Sequence, residues 1–172
     1  MKSREEPTIP LVLEETDLHE LIHGSLRPLI EQASRSRIEL RVDTLGEIPR
    51  YRVDREKLAW SVSALVGNAL RYVAHGQIGG DAGGSIVVHL TATDVPGEVA
   101  ISVQDDGPGI PDDKLPFLFE RRHGAVHAEG LALSLVRQIV TALGGRIEVA
   151  SRRDPDNHGT SVTILLRARS DG

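Results

Sequence analysis

The sequence predicts an α+β domain, a two-layer α/β sandwich in which a mixed, mostly antiparallel sheet is covered on one face by about three helices. Three observations predict it. Segments whose apolar residues recur at helical spacing are interspersed with segments that alternate apolar and polar residues. The last two alternating segments are separated only by a turn, which makes them a hairpin. Finally, a chain of 172 residues, 40% of them hydrophobic, suits one ordinary core.

Met1 to Pro10 are polar and contain two prolines, Pro7 and Pro10. A linker is therefore expected over residues 1–14, one folded unit over 15–168 and a short tail over 169–172. From Asp17, a suitable cap, the residues Leu18, Leu21, Ile22, Leu26, Leu29, Ile30 and Ala33 mark an amphipathic helix. Ile38, Leu40 and Val42 then alternate with charged residues as a half-buried strand, and Tyr51 to Val53 give a short second one. Asp54 caps a second helix whose face runs through Leu58, Val62, Leu65, Ala69 and Val73 to about His75, before the glycine-rich stretch from Gly76 to Gly84. Strands are expected at Ser85 to Thr93 and Glu98 to Gln104, joined by the turn Val95-Pro96-Gly97. A short helical piece near Asp113 to Phe119 precedes a polar segment, Glu120 to Glu129, that reads as a mobile loop. Leu131 to Leu143 forms a third helix stopped by Gly144-Gly145, and strands at Arg146 to Ala150 and Thr160 to Arg167 flank a turn containing Asp154 to Asn157.

The composition excludes several function classes. A net charge of -5 and 3% aromatic residues argue against a nucleic-acid partner. Cysteine is absent, which removes disulfides and thiolate metal sites. No apolar run is long enough to span a bilayer and no signal-peptide pattern opens the chain, so a soluble, cytoplasmic piece without direct membrane insertion is expected.

Three segments carry chemistry. In Asp105 to Ile110, "DDGPGI", Asp105 emerges from a strand at the edge of the core, where its carboxylate suits an exocyclic amine such as that of adenine. Gly107 and Gly109 let the backbone turn and approach a ligand, although an isolated motif of this kind is more often a simple acidic turn. Asn68 lies at the rim of the second helix, with Arg71 and Tyr72 on the same side three and four residues on, so an amide oxygen, a guanidinium and a phenol converge. The amide oxygen suits magnesium and the guanidinium suits phosphate, whereas a lone rim asparagine would merely bond a neighbouring loop. Third, "GLALSLV", Gly130 to Val136, leads into a helix whose free N–H groups suit phosphates, while Leu131, Leu135 and Ile139 form a core stripe.

In order and spacing, these segments resemble the catalytic domain of sensor histidine kinases, in the Bergerat-type ATPase superfamily shared with gyrase and a mismatch-repair ATPase. "LVGNALRY" (Leu65 to Tyr72) resembles the asparagine box, "DDGPGI" the first glycine box, "FLFERR" (Phe117 to Arg122) the phenylalanine box and "EGLALSLV" the second glycine box. The likeness runs from about residue 15 to 167. It implies that the chain binds ATP and magnesium and transfers the γ-phosphoryl group to a histidine on a separate dimerisation and phosphoacceptor hairpin, with a response regulator downstream. Asp105 would recognise the adenine amine, Asn68 would hold Mg2+, and Arg71 would stand where many members have a phosphate-contacting lysine. Tyr72 and Ile110 would join Gly107 and Gly109 around the nucleotide; Arg121 or Arg122 would approach the phosphates, and Gly130 with Leu131 would border them. Asn68, Arg71 and Arg121 are the expected catalytic residues. The isolated domain is expected to be mainly monomeric.

The sequence departs from the family at Ala64, Ala128 and Ala132, where asparagine and glycines are usual, and the lid is short. This motivates an alternative, a nucleotide-binding docking module without turnover; an anti-sigma-type serine kinase shares the fold. "HELIH" (His19 to His23) mimics a zinc-peptidase pattern, but both histidines border an apolar stripe and no third ligand follows at the expected spacing. His19 also lies too close to Asn68 to be the phosphoacceptor, and His123 and His127 are expected to be solvated.

Overall fold

The computed structural model describes residues 9–76, 84–120 and 128–168. In chain order the elements are β1 (Glu14–Thr16), α1 (Leu18–Arg35), β2 (Glu39–Leu45), β3 (Tyr51–Val53), α2 (Arg55–Gly76), β4 (Ser85–Ala92), β5 (Glu98–Asp105), a 3-10 turn (Leu115–Phe117), α3 (Ala128–Ala142), β6 (Arg146–Asp154) and β7 (Asn157–Arg167). The main sheet runs β2-β4-β5-β7-β6, with β2 and β4 parallel and the other neighbours antiparallel. Among the described residues three α-helices cover it: α1 packs on β2, α2 on β4 and β5, and α3 on β6, with α2 between the other two. This is the expected mixed, mostly antiparallel α+β sandwich.

Strand periodicity explains the layering. Ile86, Val88 and Leu90 of β4, Val99, Ile101 and Val103 of β5, and Ile164 and Leu166 of β7 are all buried, and their register stacks them on the face toward the helices. Leu18, Ile22, Leu26, Leu58, Val62, Val66, Val136 and Val140 close the core from the other layer. The caps are as read: the Asp17 carboxylate accepts from Glu20 N at 3.0 Å, and that of Asp54 accepts from Lys57 N at 3.0 Å.

The structure differs from the sequence reading in the bounds of several elements. Ile9, Leu11 and Leu13, assigned to the linker, pack against the core, and β1 pairs with β3, so the folded unit begins earlier. Val12 N donates to Asp54 at 2.9 Å, tying this lead-in to the start of α2. The closing hairpin is longer than expected: β6 and β7 pair out to Asp154 and Asn157, leaving only Pro155 and Asp156 as the turn. Helix α3 begins at Ala128, so Gly130 sits inside its first turn.

Candidate functional site

Periodicity also places Asp105. It follows Ile101 and Val103 by steps of two, so its side chain turns to the covered face at the last residue of β5, and only 8% of it is exposed. There it lines a cavity with Asn68 and Tyr72 of α2, Thr160 of β7, Ile110 and Leu118 of the intervening loop, and Leu133 of α3. Leu65, Ala69, Val103 and Val162 complete the wall. The empty space, counting the open solvent at its mouth, is about 320 Å3. Apolar walls with few polar groups suit a flat ring whose edge carries one hydrogen-bonding group.

Burial pushes the Asp105 carboxyl up to about 6; amides of Gly107 and Thr160 pull it back, and Asp106 raises it further. Gly107 N donates to Asp105 Oδ1 at 2.9 Å. A Cβ on Gly107 would stand 2.9 Å from that same oxygen, so a side chain there would crowd the carboxylate. Gly109 has φ +79°, and its missing Cβ would lie 2.3 Å from the Arg152 carbonyl oxygen. It is the close approach of the β6–β7 hairpin that demands glycine there.

That hairpin overhangs the end of β5 and fastens the loop. Ser151 Oγ accepts from Ile110 N at 2.7 Å, and His158 Nδ1 lies 2.7 Å from the Gly107 carbonyl oxygen. Asp106 closes the other side, its carboxylate accepting from Ser85 N at 2.9 Å.

On α2, Asn68 is 7% exposed, so it is buried rather than at a rim. Arg71 Nη2 donates to Asn68 Oδ1, which links two of the expected site residues directly. Asn68, Tyr72, Asp105 and Ile110 thus share one cavity. Leu131 and Leu135 are 51% and 40% exposed, so of the stripe expected on α3 only Ile139 is buried, and Leu133 lines the cavity instead. Gly130 and Leu131 still fall among the first four residues of α3, whose N–H groups have no partner within the helix. Arg121 and Arg122, with His123 and His127, lie outside the described residues. Thr160 and the two hairpin straps escaped the sequence reading, and Leu118 and Leu133 lay within the quoted motifs without being singled out.

The H-E-x-x-H segment holds no such cluster. The His19 and His23 rings stand 4.1 Å apart, and His19 Nδ1 is 2.7 Å from Thr44 Oγ1. Burial, with His19 beside it, holds His23 below the usual imidazole value. Among the described residues, no three His, Cys, Asp or Glu side chains gather as a metal site.

Comparison with known proteins identifies the family. The family described as histidine kinase-, DNA gyrase B-, and HSP90-like ATPase matches residues 53–170. The sensor histidine kinase ZraS of Escherichia coli (strain K12) is 33% identical over 158 residues, covering 91% of this chain and 31% of ZraS. The chain spans about a third or less of the length of the curated relatives it matches. A structure of the mycobacterial sensor histidine kinase MprB superposes with TM-score 0.73 at 30% identity, over 92% of this chain and 99% of that one. Full-length ShkA in complex with AMPPNP superposes with TM-score 0.79 over 96% of this chain and 33% of its own, a likeness of fold at 23% identity.

Proposed function

The chain belongs to the histidine kinase-, DNA gyrase B-, and HSP90-like ATPase family, and from that premise we propose that it is the ATP-binding catalytic domain of a two-component sensor histidine kinase. One observation carries the reading: a buried carboxylate and a buried carboxamide, from the two segments expected to read base and metal, line the same apolar-walled cavity.

The adenine ring enters between Leu65, Ala69, Ile110 and Val162, and its exocyclic amine donates to Asp105. That carboxylate is buried and, among the described residues, accepts from the backbone amides of Gly107 and Thr160, which leaves it acceptor capacity. The Asn68 oxygen fits Mg2+, a hard cation that takes few protein ligands beside phosphate oxygens and water. Bound there, magnesium supplies charge neutralisation along the polyphosphate. Arg71, which shares Asn68 Oδ1, turns its guanidinium to phosphate oxygens. The N–H groups at the start of α3, Gly130 and Leu131 among them, would border the phosphates, and the resemblance assigns Arg121 or Arg122 a phosphate contact. The γ-phosphorus then leaves its bridging oxygen and bonds an imidazole nitrogen of the phosphoacceptor hairpin, releasing ADP. The domain contributes positioning and charge rather than covalent chemistry. A response regulator would receive the phosphoryl group next.

Calorimetric titration with ATP, with and without magnesium, tests this. Asn68→Ala should erase the magnesium dependence of binding, and Asp105→Ala should weaken ATP by roughly 10- to 100-fold. Unchanged binding in both variants defeats the site. Phosphorylation of a supplied histidine hairpin by the wild-type domain tests the transfer step.

A further inference from the structure

We infer that His158 is a positioning residue that holds the base-reading carboxylate in its selecting orientation by fixing Gly107. The inference rests on the reading of Asp105 as the adenine acceptor, and the residues on the path are this chain's own. The imidazole Nδ1 lies 2.7 Å from the Gly107 carbonyl oxygen. A carbonyl oxygen only accepts, so Nδ1 carries the proton and donates. The N–H of the same glycine donates to Asp105 Oδ1 at 2.9 Å. Both soft dihedrals between these two contacts belong to a residue without a Cβ, which resists rotation least of all residues. Left to itself such a residue would wander, so the Gly107 amide stays on Asp105 only while the carbonyl is also held, and His158 supplies that second hold.

The fold presents His158 for this. Thr160 pairs with Asp105 at the end of the β5–β7 ladder, and β7 continues backward past it to Asn157, beneath the departing loop. Gly159 has φ +150°, and a Cβ there would lie 2.1 Å from the Asp105 carbonyl oxygen. The hairpin backbone thus presses against the end of β5, with His158 next in line. Ser151 anchors the far end of the loop through Ile110 and the Thr160 amide reaches the carboxylate from β7, which leaves His158 as the hold on Gly107.

The consequence is base selection. Guanine offers a carbonyl oxygen where adenine offers an amine, and a carboxylate held toward the base repels it. A carboxylate free to swing loses contact with adenine and ceases to reject guanine.

The test uses the full chain as wild type, His158→Ala and His158→Asn, the last restoring a side-chain N–H donor. His158 is exposed, so neither change opens the core. Without nucleotide, the Gly107 amide should exchange its hydrogen about tenfold faster in His158→Ala. With magnesium present, ATP should bind about fivefold more weakly and GTP within twofold of wild type. His158→Asn should return both readouts toward wild type. Gly107 exchange and an ATP-to-GTP ratio unchanged in His158→Ala, or no recovery in His158→Asn, would overturn the inference. A wild type that binds no ATP defeats the proposed function instead, and the exchange measurement, which needs no nucleotide, still decides whether His158 holds Gly107.

Discussion

Glu98 and Asp105 stand at the two ends of β5, both buried carboxylates, and their surroundings are opposite. Glu98 is met by three side chains: Arg146 at 3.0 Å, Arg167 at 3.2 Å and Thr93 at 3.0 Å. Burial alone would raise its carboxyl, but these donors hold it below the usual range. Among the described residues Asp105 is met by the backbone amides of Gly107 and Thr160, and burial wins, carrying it to about 6. One acid is neutralised from within the protein and has nothing left to offer. The other has been taken out of water beside a cavity, with backbone amides rather than a cation against it among the described residues. An acid that costs the empty fold stability while facing open space is a functional-site signature.

The largest effect expected from breaking this contrast is at Asp105. Asp105→Asn keeps the shape but replaces one acceptor with a donor, so ATP affinity should fall roughly 10- to 100-fold by calorimetry. Because burial disfavours the lost charge, thermal denaturation should find the empty domain at least as stable as wild type.

Acidity sharpens the contrast next. The folded value of Asp105 lies above the unfolded one, so its ionisation opposes folding above pH 6 and that cost is relieved as pH falls from about 6 toward 3.8. The bound amine needs the ionised form. ATP affinity measured from pH 8 to 5 should therefore be level above about 6 and fall below it, approaching roughly tenfold per unit, while stability from this group rises. Glu98 has the reverse sign: its folded value is depressed, so its contribution is present above the unfolded value and lost as pH falls through the folded one.

Smaller effects belong to the neutralised end. Glu98→Ala should lower the melting temperature by about 5 °C and leave ATP affinity within twofold of wild type. Thr93→Val, removing one of three donors, should cost only about 1–2 °C by the same scan. A loss of ATP affinity in either variant would show that the two ends of β5 are coupled.

Much of this molecule was legible in its residues because the signals were local. The period-two runs at Ile86 to Leu90 and Val99 to Val103, the capping aspartates Asp17 and Asp54, and the ordered motifs around Asn68 and Asp105 each speak within a dozen residues. Strand β1 was not legible, since three residues carry no period and its pairing with β3 spans a whole helix. The length of the closing hairpin was hidden by composition: Ser151 to His158 is polar and turn-like, and pairing out to Asp154 satisfies backbone rather than apolar demands. Thr160 and Leu133 entered the cavity, and Ser151 and His158 reached the loop, through long-range approach alone. The start of α3 fell earlier than expected because the charged segment before Leu131 lacks an apolar stripe.

The placement of Asp105 by alternation has a consequence for how this gene could vary. One codon inserted between Val99 and Asp105 would rotate the acceptor to the outer side of the sheet and send a neighbour inward, silencing recognition without removing a single functional residue. Two codons would restore the orientation and merely lengthen the ribbon. Along this strand, lengths that keep the acceptor inward therefore differ by even steps, and an odd change reads as loss of function even where every motif survives.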